Sequence, residues 1–303
     1  MILLIGIPSE PPLRLLAEAC SKKGIPFELF NQRQQAAWRV ETDPWRRGDS
    51  ILTNGSRHYR LNDCAGIYLR TMDHTQVPEY ASSQNKTAIN EMYGRLFRVM
   101  DEKTTCRVVN VPSVQMSNNS KPYQSLCINE SGLDIPDTCI TNDADEARQF
   151  IARYSSVIYK SISGTRSIVK QVDDASLVRL DKIKYCPVQF QECVSGFNVR
   201  VHVIGQKVYA TKIISDAVDY RYARAEGKTA SLESYDLDGT TAAKCVALAR
   251  RLELPFAGID LMIAEDGRTI CFEVNSSPGY SYYEQHTGQP ISHALANYLA
   301  FGP

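Results

Sequence analysis

The stretch AGIDLMIAEDGRTICFEVNSSPG, residues 257–279, constrains this chain more than any other. It predicts two strands, Gly258–Ala264 and Thr269–Val274, around a turn of Glu265, Asp266, Gly267 and Arg268. Pairing Ala264 with Thr269 sets Asp260 directly opposite Glu273. Alternation along a strand then turns Asn275 to the same face as Glu273. Like charges opposed across paired strands repel. The flanking Ile259, Leu261, Ile263, Cys271 and Phe272 predict a largely buried ribbon, where unpaired charge is costlier still. Two carboxylates and a carboxamide form a hard, incomplete oxygen cage. Such a cage suits Mg²⁺, which fills its shell with water and phosphates. The plainer alternative is an exposed hairpin with a solvated acidic face.

Length and composition describe a globular protein of two or three lobes. The 303 residues are 43% apolar and 22% charged, enough to build a core. Net charge is zero, so no global field recruits nucleic acid or an anionic membrane. The opening MILLIGIPSEPP lacks a basic flank, and its apolar run ends at Pro8, too short for a signal segment or a span. Nine cysteines, an odd number without CxxC spacing, sit mostly inside apolar runs and predict reduced core thiols. A cytoplasmic enzyme is expected.

Along the chain, Ile2–Ile5, a helix over Pro11–Lys22 and Phe27–Phe30 predict a β-α-β opening with a parallel sheet. A hairpin over Ile51–Leu61, a strand Gly66–Arg70, a helix from Ser83 to about Met100 and a strand Arg107–Val111 complete an open α/β lobe over residues 1–110. The polar, turn-rich Pro112–Lys121 marks a boundary. Helices over Lys121–Asn129 and Asp143–Tyr154, with strands Val157–Ser161 and Ser167–Lys170, form a small central lobe over residues 111–186. Residues 187–303 form a C-terminal lobe, with strands Val188–Val194, Asn198–Ile204 and Lys207–Ile214, a helix Thr240–Leu252, the acidic ribbon and a helix Ile291–Ala300.

Lys160 ends a buried strand and is followed by the small-residue loop Ser161–Ser167. An ammonium there, with loop amides beside it, can meet phosphates; Gly164, Thr165 and Arg166 belong to that loop. A solvated strand-end lysine is the alternative. Asn198, Arg200 and His202 alternate onto one face, where Arg200 can grip a phosphoryl group or pair with a core carboxylate. Arg70 and His74 lie in loops where open α/β sheets bind ligands, and can meet a substrate carboxylate or be ordinary loop residues. His58, His286 and His293 show no ligand spacing. No Ser-His-Asp or Cys-His constellation, dinucleotide fingerprint or P-loop is present.

The sequence D-L-x(10)-F-E-V-N-x-S-P-G, with Glu284 and Thr287-Gly288 after it, resembles the C-terminal core of RimK-like ATP-grasp ligases. The resemblance implies an ATP-grasp fold, with mixed α/β and α+β lobes behind a preceding (pre-ATP-grasp) α/β lobe. It places two Mg²⁺ ions (Mn²⁺ as a substitute) on Asp260, Glu273 and Asn275. Lys121 and Lys160 become the ATP lysines, with a flap at Ser163–Arg166 that keeps one glycine where the family often has several. FQECV becomes the hinge whose backbone groups read adenine, with Glu192 and Val194 as contacts. Asn198 stands where the family has an aspartate for the ribose. Lys212 and Arg221 fall where the acceptor and γ-phosphate are lined.

The implied activity joins a carboxylate to an amine through an acylphosphate, releasing ADP and phosphate. It implies a carboxylate-bearing and an amine-bearing substrate, each an amino acid, a peptide or a protein side chain or terminus; no nucleic acid or membrane partner is implied, and a homo-oligomer is allowed. The alternatives are an ATP-grasp phosphotransferase and an inactive ATP-binding protein.

Overall fold

The structure, a computed structural model, describes residues 1–42, 50–102, 105–115, 120–162, 169–215 and 230–302. The first lobe is built from β1 (Ile2–Gly6), α1 (Pro11–Lys22), β2 (Phe27–Asn31), β3 (Trp38–Thr42), β4 (Ser50–Asn54), β5 (Arg57–Arg60), β6 (Gly66–Arg70), α2 (Pro78–Ala81), α3 (Lys86–Glu102) and β7 (Arg107–Val109). Its parallel sheet has the order β2-β1-β6-β7, and β3-β4-β5 form an antiparallel meander beside it. The strand β1 is buried along its whole length, as its unbroken Ile-Leu-Leu-Ile run requires of a parallel strand covered on both faces. Pro at the first turn of α1 and Gly24 at positive φ after it set that helix's limits.

The next elements are α4 (Pro112–Gln115), α5 (Lys121–Glu130), β8 (Thr138–Thr141), α6 (Ala144–Ile151), β9 (Val157–Ser161), β10 (Lys170–Gln171), α7 (Asp174–Val178) and β11 (Val188–Glu192). The central sheet runs β10-β9-β11-β8 and is antiparallel wherever its strands pair. Two expectations change here. The strand β11 pairs with β8 and β9, so the central sheet continues through Glu192, beyond the expected limit at residue 186. The helix α5, expected in the central lobe, instead puts Cys127 and Ile128 into the core of the C-terminal lobe. What remains around the central sheet is a small core of Ala147, Phe150, Val157, Leu180, Ile183 and Phe190.

The C-terminal lobe contains β12 (Gly196–Ile204), β13 (Lys207–Ser215), β14 (Ala230–Tyr235), α8 (Gly239–Arg251), β15 (Phe256–Ala264), β16 (Thr269–Asn275), α9 (Ser281–Thr287) and α10 (Ile291–Phe301). Its antiparallel sheet has the order β14-β13-β12-β15-β16. Neither β14 nor α9 was expected from the sequence. The last helix returns to the first lobe: Leu295, Ala296 and Leu299 pack with Leu13, Leu16 and Ala19 of α1 in one core. Gly66 permits this, because a Cβ there would lie 2.4 Å from the Leu299 carbonyl oxygen.

The edge strand β16 is covered rather than exposed. The Asp134 backbone bridges to it, accepting from Cys271 N at 2.8 Å and donating to Thr269 O at 3.2 Å. Gln124 of α5 imitates a neighbouring strand, with Nε2 donating to Val274 O at 2.7 Å and Oε1 accepting from Val274 N at 2.9 Å. Pairing of this kind keeps an edge from recruiting another chain.

Candidate active site

The acidic ribbon forms with Asp260 opposite Glu273 and Asn275 opposite Gly258. The expected Ala264–Thr269 pairing does not occur; Thr269 pairs with Ile263, and the register shifts by one between Asp260 and Leu261. Phe272 is the extra residue of that bulge. A bulge re-aims the side chains next to it, and this one restores the Asp260–Glu273 opposition that a regular hairpin with this turn would lose.

Arg200 is the register partner of Asp260 from β12, and its Nη1 donates to Asp260 Oδ1 at 2.6 Å. The Arg200 side chain is 6% exposed and that of Asp260 24%. Gly258 makes room for the guanidinium: a Cβ there would lie 2.4 Å from Arg200 Nη2 and 2.6 Å from Pro278 Cβ. The Tyr283 ring lies 5.8 Å from the guanidinium carbon. Sequence left Arg200 between a phosphoryl group and a carboxylate; in this structure its guanidinium pairs with the Asp260 carboxylate. His202, fully buried beside Arg200 and Tyr283, is held neutral by burial first and the Arg200 charge second. A neutral, enclosed imidazole of this kind has no access for acid–base work.

Lys160 of β9 approaches from the central sheet. Burial, and then the Lys121 charge, lower its pKa to about 8, while Glu273 acts in the opposite sense. Lys121 of α5 and Glu273 of β16 are therefore both within electrostatic reach of Lys160 on β9. Lys160 Nζ donates to Gln191 Oε1 at 3.3 Å, and Gln191 Nε2 donates to Thr138 Oγ1 at 3.0 Å. Gln189 is the direct register partner of Lys160 and shares its face, with the carboxamide oxygen buried and no hydrogen-bond partner. Neither glutamine was singled out from the sequence. Polar residues at alternate positions of the apolar strand VQFQE were the available signal.

Glu192 belongs to the expected hinge, where the backbone is to meet adenine and the side chain is left to other partners. It pairs with Val157, on the β11 face opposite Lys160, and its carboxylate takes Arg268 Nη1 and Nη2 at 2.9 and 3.1 Å. It also accepts from Asp137 N at 2.9 Å. Its side chain therefore ties the central sheet to the hairpin tip of the C-terminal sheet. Val194 lines a cleft of about 250 Å³ with Tyr154, Cys193 and Arg268. Asn198 pairs with Met262 two residues before Arg200, on the Arg200 face as expected.

Lys212 is a correction. It pairs with Val199, whose side chain is in the α8-side core, so Lys212 lies on the opposite sheet face from Arg200 and Asp260. Its Nζ sits 4.4 Å from the Phe197 ring centroid. Arg70 and His74 also find protein partners: His74 stacks on Tyr93 at 4.2 Å and bonds Asn90 at 2.9 Å. Arg70 lines a cavity of about 500 Å³ with Glu10, Arg33, Met72 and Ser277, at the C-terminal ends of β1, β2 and β6. Ser163, Gly164, Thr165, Arg166 and Arg221 lie outside the described residues.

The donor set fits Mg²⁺. Among the described residues no cluster of three His, Cys, Asp or Glu side chains has metal-holding geometry. Asp260, Glu273 and Asn275 offer only hard oxygens and are partly open to solvent. Ser277 N donates to Asn275 Oδ1 at 2.8 Å, which fixes the carboxamide with its oxygen toward the loop and one lone pair still free.

Residues 117–299 match the RimK-like ATP-grasp domain family. The chain is 30% identical over 299 residues to a probable alpha-L-glutamate ligase of Rhodopirellula baltica, covering 95% of this chain and 67% of that one. It is 26% identical over 264 residues to a probable alpha-L-glutamate ligase of Pasteurella multocida, covering 80% and 79%. Among solved structures, the ATP-grasp ligase PsnB with a minimal precursor superposes with a TM-score of 0.80 at 23% identity over 100% of this chain and 99% of PsnB. The macrocyclase MdnC of Microcystis aeruginosa, bound with precursor peptide MdnA, superposes with a TM-score of 0.80 at 20% identity over the full length of both. The three-lobed architecture is thus that of ATP-grasp ligases.

Proposed function

We propose a reaction path for this chain, which belongs to the RimK-like ATP-grasp family and is an ATP-dependent carboxylate–amine ligase. ATP lies between the central and C-terminal sheets, with Lys160 and Lys121 on its phosphates and the backbone of the extended hinge at Glu192–Val194 beside the base. Asp260, Glu273 and Asn275 hold two Mg²⁺ ions, a role Mn²⁺ can share. Bound there, the ions neutralise phosphate charge as the γ-phosphoryl group moves. Arg200 keeps Asp260 oriented.

The observation that carries this reading is the opposition of Asp260 to Glu273 on the β15–β16 ribbon, with the charge of Glu273 felt by Lys160 of the central sheet. The substrate carboxylate takes the γ-phosphoryl group, forming an acylphosphate and ADP. The amine then attacks the acyl carbon and phosphate leaves. Positioning and charge do this chemistry without a covalent nucleophile. The cavity beside Ser277 suits substrate entry, two residues from Asn275.

We assign the carboxylate to an acidic side chain or terminus of an amino acid or peptide. The complexes of PsnB with precursor peptide PsnA2 and of MdnC with precursor peptide MdnA, and the glutamate-ligase names of the relatives, support that class. Nine free cysteines support a cytoplasmic setting, and no described helix is long and apolar enough to cross a membrane.

The test is product analysis with Mg·ATP and a panel of acidic peptides and amines. ADP and phosphate released in step with a new amide support the path. AMP and pyrophosphate would refute it, and a phosphorylated product formed without amine would favour phosphotransfer.

A further inference from the structure

The loop after β16 carries Asn275 and is held from outside its own lobe. Arg70, the last residue of β6 in the first lobe, gives Nη1 to Ser277 O at 3.3 Å, Ser277 Oγ at 3.2 Å and Pro278 O at 3.1 Å. Its Nε and Nη2 both donate to Glu10 Oε1, at 2.9 and 2.7 Å. The guanidinium is thereby fixed in plane by one carboxylate and spans the gap between two lobes. Its side chain is 12% exposed. Ser277, the residue it grips, is the one whose N–H orients Asn275 Oδ1.

We propose that Arg70 is a positioning residue for the metal-holding Asn275, acting through Ser277 and Pro278, so that the first lobe sets metal affinity at a site built on the C-terminal sheet. The inference rests on Asn275 being a metal ligand. A flexible lysine in place of Arg70 can reach one carbonyl but not span Glu10 and the loop together, because only the planar fork has donors on both sides. Partners that orient ligands typically change metal affinity about tenfold to a hundredfold when removed.

The experiment titrates Mn²⁺ into the purified full-length protein saturated with ADP, by calorimetry and by the Mn²⁺ spin-resonance signal. ADP binding in EDTA and thermal melting accompany each titration. Arg70→Gln should weaken Mn²⁺ binding by about tenfold or more while leaving ADP affinity in EDTA within about twofold of wild type. Arg70→Lys should recover part of the loss, and Glu10→Gln should give a smaller loss of the same kind.

Wild-type Mn²⁺ affinity in Arg70→Gln overturns the proposal, as does an equal loss of Mn²⁺ and metal-free ADP binding, which would mark a general disturbance. Should Arg70→Gln fail to fold, Glu10→Gln decides by the same two measurements. Asn275→Ala separates the two readings: unchanged Mn²⁺ affinity in that variant removes the metal assignment itself, whatever Arg70 does.

Discussion

On the C-terminal side of the proposed nucleotide cleft, nearly every functional group is braced by protein. Asp260 is held by Arg200, Asn275 by Ser277, Ser277 by Arg70, and the Ser276 carbonyl by Asn110 Nδ2 at 2.6 Å. Tyr280 Oη, just beyond, donates to Pro12 O at 2.5 Å. On the central-sheet side, Lys160 donates one hydrogen bond among the described residues, at 3.3 Å, and Gln189 keeps a buried carbonyl oxygen unmatched. The central core is also the smaller, with Val178 85% and Tyr185 81% exposed nearby. In the proposed arrangement one wall of the cleft is complete without ligand, and nucleotide would finish the other. A metal site benefits from fixed oxygens, whereas a lysine that waits for phosphate must stay incompletely satisfied.

The comparison is broken most directly at Glu273. Glu273→Gln should reduce turnover by about a thousandfold or more, since metal ions supply several kcal/mol of stabilisation in phosphoryl transfer. In EDTA the same variant should melt no lower than wild type, because it removes repulsion with Asp260. ADP release beside thermal melts checks both. A low melting point with near-normal turnover would make Glu273 a structural carboxylate.

Arg200→Met tests the bracing itself. Removing one partner of a buried ion pair leaves a charge unmatched, at about 3–5 kcal/mol; the 24% exposure of Asp260 puts the expected loss near about 3 kcal/mol. Denaturant unfolding measures it, and Arg200→Met combined with Asp260→Asn should regain most of the stability without turnover. If Arg200→Met unfolds like wild type, the pair with Asp260 does not brace this wall.

Much of the braced wall was readable in sequence, and the reasons differ residue by residue. Asp260 and Glu273 were found because strand alternation and a tight turn constrain pairing locally. The compensating shifts, a turn displaced by one residue and a bulge at Phe272, depend on β12 and Asp134 packing on either side and have no local signature. Arg70, Asn110 and Gln124 act across 146 to 208 residues of chain, as far as from Asn110 to Phe256 or Arg70 to Pro278. Nothing at their own positions announces those partners. The face of Lys212 is a different case. The two-residue turn at Gly205 and Gln206 pairs Ile204 with Lys207 and so sets Lys212 against Val199, a register the sequence already contained. The place of α5 was unreadable, because an amphipathic helix shows which face is buried but not against which core.

The smallest effect concerns the unfinished wall. With its pKa lowered to about 8, chiefly by burial and then by Lys121, Lys160 starts to lose its proton just above neutral pH. The unfolded chain keeps that proton to about pH 10.5. Below pH 8 both states are protonated and the folded state carries the penalty of a buried ammonium. Between about pH 8 and 10.5 the unfolded state binds more protons, so the penalty is relieved and stability rises with pH in that window. Lys160→Met should therefore melt higher than wild type at pH 7 without nucleotide, and the difference should shrink above pH 8. Nucleotide binding has the opposite sign, since phosphate needs the ammonium. Wild-type ADP affinity should fall from pH 7 to 9, by up to about tenfold per unit above pH 8, with proton uptake on binding. In Lys160→Met both the slope and the uptake should vanish. Calorimetry in two buffers of different ionisation enthalpy measures them together. A wild-type affinity flat from pH 7 to 9 would mean that Lys160 is as settled as the opposite wall, and the contrast between the two walls would fail.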